Sequence, residues 1–221
     1  MNRLADAMEP ILTASGIQFV RNTPDMTAAS SIRQSNQGNY DLHLALHSNA
    51  SGEGHEGTQR GIIAFYYPGS YWGMMAAEFL SDSLKAIYPL PNLVRIEPTT
   101  TIGEVRRVRA PAVLLELGFH DNKADADWIV THIHEMAEAI VLGLTEYFGI
   151  PFFLASRPQP GEVHIDTGSL RVRERPDPSA PVIANLYDGT AVTVLNEYDG
   201  WYLIQFGDTM GYVDGRFLVV G

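Results

Sequence analysis

The sequence predicts an α/β domain, with a mostly parallel sheet covered by helices on both faces, followed by a small all-β barrel. Three observations carry this. Short apolar runs alternate with helix-patterned stretches as far as residue 148. Two of those runs, Asp41-Leu42-His43-Leu44-Ala45-Leu46-His47 and Pro111-Ala112-Val113-Leu114-Leu115-Glu116, stop on a group able to bind a metal or move a proton. Beyond residue 161 the texture changes to brief alternating runs separated by turn residues. Strands alternating with helices favour parallel pairing, and sites in such sheets are built at the carboxyl ends of strands.

Taken in order, residues 2–15 place Leu4, Met8, Ile11 and Leu12 on one helical stripe, with Gly16 where a C-cap belongs. Residues 17–20 alternate like a strand, and residues 27–37 read as a second helix. Strands are expected at 42–46, 61–67, 93–96 and 112–115. Helices are expected at 70–88 and, as one long element, at 122–148. The chain begins on a helix, so the first domain reads as N-terminally incomplete, without the strand that usually leads such a sheet. The expected layout is a domain over 1–150, a linker over 151–161 centred on Arg157-Pro158-Gln159-Pro160-Gly161, and a barrel over 162–221. Barrel strands are expected at 170–172, 182–184, 191–195, 201–204 and 211–213, with turns at Asp188-Gly189, Asp199-Gly200 and Gly207-Asp208. Closing so small a sheet would remove its exposed edges.

Composition narrows the function. The 221 residues are 45% hydrophobic and 19% charged, which fits packed domains rather than disorder. Net charge is -11, and residues 162–221, with 9 acidic and 4 basic side chains, carry -5 of it, leaving -6 for the rest. An acidic balance in both parts argues against nucleic-acid binding, which draws its affinity from basic patches, and against an anionic membrane surface. Cysteine is absent, so disulfides, thiolate nucleophiles and cysteine zinc sites are excluded together. No apolar run approaches the ~20 residues of a bilayer span, and the N-terminus lacks a signal-peptide core.

A lone His at a strand end is most often satisfied by hydrogen bonds, so His47 alone is a weak signal. Glu116 is stronger, because a carboxylate after Ala-Val-Leu-Leu ends near the core, where it is costly unless paired or bound to metal. Its partner could be structural, with Arg106, Arg107 or Arg109, or burial could raise its pKa and suit it to general-base work. His43 shares the pleat parity of His47. His55 and Glu56 sit in a glycine-rich loop, His120 precedes the long helix, and His132 and His134 read as surface residues of that helix.

These segments together resemble the zinc-dependent N-acetylmuramoyl-L-alanine amidases of the amidase-3 family, a phosphorylase/hydrolase-like α/β fold. Residues 45–50 are similar to the family's Ser-Ile-His-Ala-Asn-Ala strand, and residues 111–119 to its Pro-Ala-Val-Leu-Val-Glu-x-Gly-Phe strand. Asn122 and Asp125 fit the usual continuation. Residues 163–221 resemble bacterial SH3-like domains through Leu170-Arg171-Val172-Arg173, Asp188-Gly189-Thr190, Gly200-Trp201-Tyr202 and Gly211-Tyr212-Val213. The resemblance implies a peptidoglycan hydrolase, an autolysin-type enzyme of the cell wall or extracellular space. It would cleave the amide between N-acetylmuramic acid and L-alanine with zinc-activated water. His47 is implied as a zinc ligand, Glu116 as the catalytic glutamate, and Asn49 and Arg106 as substrate-binding residues, with the SH3-like part holding the wall. The family's other two ligands, a His in a Gly-His-Gly-Gly loop and a Glu ahead of the first helix, have no counterpart here. The chain is therefore expected to be truncated, to have its ligands replaced elsewhere, or to be a wall-binding pseudo-amidase; a zinc peptidase acting on the stem peptide is a separate alternative.

Overall fold

The structure is a computed structural model that describes residues 1–156 and 158–221, which fall into two compact units. The first comprises residues 1–8 and 20–147, and the second residues 9–19 and 148–221.

Four strands form the sheet of the first unit: β1 (His43–Asn49), β2 (Ile62–Tyr66), β3 (Val94–Pro98) and β4 (Ala112–Phe119), in the order β1-β4-β2-β3. β1 runs parallel to β4 and β2 parallel to β3, while β2 and β4 are antiparallel. Two of the three pairings are parallel, as expected, and the one antiparallel pairing makes the sheet mixed. The central strand β4 is buried along nearly its whole length, as its unbroken apolar run requires.

Helix α1 (Asn2–Ala14) ends at Gly16, whose φ of 83° lets the Ile17 amide reach back to the Leu12 carbonyl. α2 (Ala28–Gln37) starts in a reciprocal capping box between Thr27 and Ser30. α3 (Tyr71–Lys85) is capped by Ser70 and runs against β2, β3 and β4. A four-residue helix, α4 (Gly103–Arg106), packs with α2 and β4, and its Val105 joins Ala45 and Leu114 in a buried cluster. The helix expected over 122–148 is two, α5 (Lys123–Thr131) and α6 (Ile133–Phe148). His132 departs from helical geometry between them and stacks on Trp128, so it is half-buried rather than on the surface. α6 packs on α3 through Gly143, where a Cβ would meet the Phe79 carbonyl at 2.9 Å and the Ser83 hydroxyl at 2.7 Å. None of the described helices is long and apolar enough to cross a membrane.

Residues 17–20 do not form the expected strand: among the described residues no strand pairs with them, and Phe19 and Val20 lie exposed. This stretch packs with the second unit instead. Ser15 exchanges hydrogen bonds with the Phe153 backbone, Asn196 donates to the Ala14 carbonyl, and Gln18 donates to the Asp208 carbonyl.

The second unit is a seven-stranded antiparallel sheet in the order β11-β5-β8-β9-β10-β6-β7. Its strands are β5 (Gln159–Val163), β6 (Leu170–Arg173), β7 (Val182–Leu186), β8 (Ala191–Tyr198), β9 (Trp201–Phe206), β10 (Thr209–Asp214) and β11 (Leu218–Val220). All five expected strands are present, with β5 and β11 added at one edge. Residues 159–161, expected in the linker, begin β5, and Arg157 lies outside the described residues. The Asp199-Gly200 turn takes φ of 49° and 81°, the left-handed pair that suits a two-residue hairpin. Val163, Val172, Ile204 and Val213 are fully buried at the centre of the core.

Candidate active site

The candidate site lies at the carboxyl ends of β1 and β4, within the first unit. In the parallel ladder His47 stands directly beside Glu116, and His43 lies two pleat repeats back on the same face. Immediately afterwards the register slips: Asn49 pairs with Phe119, so Leu117 and Gly118 together face Ser48. Gly118 takes a φ of 112°, a conformation open to glycine, and a Cβ there would press on Ile129 at 3.3 Å. The bulge ends the regular pairing just past Glu116, a common arrangement beside active sites.

A third side chain completes the cluster. Glu104 reaches in from α4, and its Oε2 lies 3.1 Å from His47 Nε2. Its side chain is 12% exposed, whereas that of His47 is 43% exposed. The contact with Glu104 raises the His47 pKa, and the contact with His47 holds the Glu104 carboxyl below its ordinary value. Sequence reading missed Glu104. It sits in a four-residue helix with no strand-end signal to mark it.

Glu116 is half-buried, and its Oε2 is buried without a hydrogen-bond partner. Burial pushes its pKa up, against smaller opposing effects from His47 and His120. The structural alternative for Glu116, a partner among Arg106, Arg107 and Arg109, is overturned, since it pairs with none of them. Arg106 is exposed on α4, and Asn49 is half-buried with its Oδ1 accepting from the Ala50 amide. Neither reaches the His47–Glu104–Glu116 cluster through a hydrogen bond. His120 shares contacts of 3.1 and 3.2 Å with the Ser48 hydroxyl and carbonyl, which ties the ends of β1 and β4 together. His43 bonds Ser35 through Nδ1 while its Nε2 stays buried and unpartnered; burial lowers its pKa.

The loop between β1 and β2 is fixed from below. Asp121 accepts the Ser51 and Gly57 amides, and Asn122 caps α5 while donating to the Gly57 carbonyl. Asp125, fully buried, accepts from Arg60 Nε, the Gly61 amide, the Tyr88 hydroxyl and the Phe119 amide. One carboxylate thus joins the start of β2, the chain just beyond α3 and the end of β4. His55 and Glu56 stand exposed at the loop tip.

The donor set does not match a catalytic zinc site, which takes about three protein ligands. Among the described residues no group of three or more His, Cys, Asp or Glu side chains is arranged to hold a metal ion, and at these strand ends His47 and Glu104 meet as a pair. The groups present can move a proton, through Glu116, and can hold an oriented imidazole, through Glu104.

Residues 1–146 match the profile described as N-acetylmuramoyl-L-alanine amidase, and residues 168–219 that described as bacterial SH3 domain. Similar solved structures include the N-acetylmuramoyl-L-alanine amidase AmiC2 of Nostoc punctiforme, at 18% identity and a TM-score of 0.58, covering 66% of this chain and 81% of that one. An N-acetylmuramoyl-L-alanine amidase from Clostridium difficile 630 has 22% identity and a TM-score of 0.58, with the same coverage of 66% and 81%. Ami1 from Mycobacterium smegmatis has 19% identity and a TM-score of 0.57, covering 66% of this chain and 74% of its own. At these identities the likeness establishes the fold. No curated protein sequence matches the chain significantly.

Proposed function

The chain belongs to the N-acetylmuramoyl-L-alanine amidase family and carries a bacterial SH3 domain, and from that premise we propose that it hydrolyses peptidoglycan at the amide between the lactyl group of N-acetylmuramic acid and L-alanine. The observation that carries the reading is Glu116, a carboxyl at a strand end with a buried oxygen left unpaired and a pKa raised by burial. A carboxyl tuned upward in this way takes a proton from water near neutral pH and returns it to a leaving amine. Glu116 is the residue that would do both. Beside it the His47 ring is held by Glu104 toward the same strand ends. The family resemblance gives His47 to zinc, but the two donors that meet fall short of a zinc site, so the mechanism rests on the chain's own groups. Arg106, exposed on α4, is proposed to meet substrate carboxylates, and Asn49 to line the cleft. The SH3 domain is proposed to hold the wall, which places action at the cell wall or outside the cell.

The same shortfall of donors favours a second reading, a wall-binding protein without turnover. Pelleting with purified sacculi, alongside mass spectrometry of muropeptide digests, separates the two. An amidase converts muropeptides to free stem peptides, and Glu116→Gln abolishes the conversion while leaving pelleting intact. Pelleting with no conversion by the wild-type chain would establish the second reading and end the first.

A further inference from the structure

Glu104 lies outside both strand motifs, and no reading of the sequence gives it a role. We infer that Glu104 is a positioning residue for His47, fixing the ring proton on Nε2 and leaving Nδ1 as the free nitrogen of the site. This deepens the function proposed above and rests on it for its catalytic consequence.

Glu104 Oε2 and His47 Nε2 lie 3.1 Å apart. An ionised carboxylate only accepts. A nitrogen lone pair facing it at that distance would be repelled, so Nε2 carries the proton. In the neutral ring the lone pair is then on Nδ1. Partners of this kind, a carboxylate on one ring nitrogen, set which nitrogen a histidine offers to chemistry.

Glu104 is itself firmly placed. Val105, next to it, is buried with Ala45 and Leu114 beneath the sheet face that carries His47. The Arg106 and Arg107 amides close α4 onto the Ile102 and Gly103 carbonyls. Asn36 on α2 then clasps the following chain from both sides, donating to the Arg107 carbonyl and accepting the Arg109 amide. Gly103 lies where a Cβ would touch Ile32 of α2 at 3.4 Å, so α4 rests closely on α2. The Glu104 side chain extends from this fixed backbone and has little freedom to follow His47 elsewhere. That leaves Nδ1 as the ring nitrogen not engaged by Glu104, with Glu116 on the neighbouring strand.

The test is long-range proton–nitrogen NMR on the full chain labelled at histidine nitrogen, at about pH 9, where an imidazole has lost its second proton. The expected result is a His47 ring protonated on Nε2, with a ring proton protected enough to be observed. In Glu104→Ala that proton is lost to solvent exchange; Glu104→Met, which keeps side-chain volume, gives the same loss if the alanine variant folds poorly. In turnover of muropeptides both variants lower kcat, with KM unchanged. A wild-type ring protonated on Nδ1, an Nε2 proton that survives in both variants, or an unchanged kcat overturns the assignment. A wild-type chain without turnover overturns the amidase reading instead, while the ring-proton result still decides the role of Glu104.

Discussion

Glu116 and the His47–Glu104 pair respond to pH in opposite senses. Burial raises the Glu116 pKa, so its ionisation costs stability as pH rises above the ordinary carboxyl range. Glu116→Gln is therefore expected to melt no lower than wild type at about pH 7, while turnover falls by about 10²- to 10⁴-fold, as for a lost general base. Thermal melts beside muropeptide assays check both halves. The paired groups behave otherwise. His47, raised by Glu104, contributes stability below its ordinary 6.5 and loses it as pH climbs through its raised folded value. Glu104, lowered by His47, contributes above its ordinary 4.5 and loses it as pH falls through its lowered folded value. The melting-temperature gap between wild type and His47→Ala should thus be widest between 4.5 and 6.5 and shrink on the alkaline side. A gap that is flat with pH would deny the pair any electrostatic role. Of these three residues two were legible in the sequence, because each interrupts an apolar run at its end. Glu104 was not, because its importance comes from where α4 packs.

At the scale of elements, the Asp125 knot decides how firmly the site is built. Removing the carboxylate in Asp125→Ala strands Arg60 and frees two amides and a hydroxyl. The expected loss is several kcal/mol, since each buried donor left unsatisfied costs about 1–3 kcal/mol. Tyr88→Phe removes one donor to the same carboxylate and should cost about 1.5–3 kcal/mol, the worth of a hydrogen bond to a charged group. Denaturant unfolding measures both, and equal losses would mean that the carboxylate does not act as a hub. In the second unit Ile204→Ala should cost about 2–5 kcal/mol, because Ile204 is fully buried in the core. Element starts were read well where periodicity was strong, as in α3 and β4, although β4 runs on to Phe119, past the expected end at 115. They failed where tertiary contacts decide. The break at His132 depends on its stack with Trp128, and residues 17–20 alternate like a strand but, among the described residues, have no strand to pair with. β5 was hidden by Pro160 and Gly161, which read as a linker until β8 and β11 are there to flank them.

Across the whole molecule, an amidase-family unit and a bacterial SH3 domain occur in one chain. A hydrolase acting on an insoluble polymer gains local substrate concentration from a module that holds the polymer. The order of the two parts and the class of each were legible in the sequence, since both rest on periodicity and short motifs. The assignment of residues 9–19 to the second unit was not, because it depends on hydrogen bonds across some 140 to 190 positions of sequence, such as Ser15 to Phe153 and Gln18 to Asp208. Which bond is cut is decided by end-group analysis of sacculi digested by the wild-type chain and by Glu116→Gln. New amino-terminal L-alanine is expected in the wild-type digest, none with Glu116→Gln, and no new reducing sugar ends in either. New amino termini at other stem-peptide residues, new reducing ends, or L-alanine release that persists in Glu116→Gln would contradict the proposed cleavage.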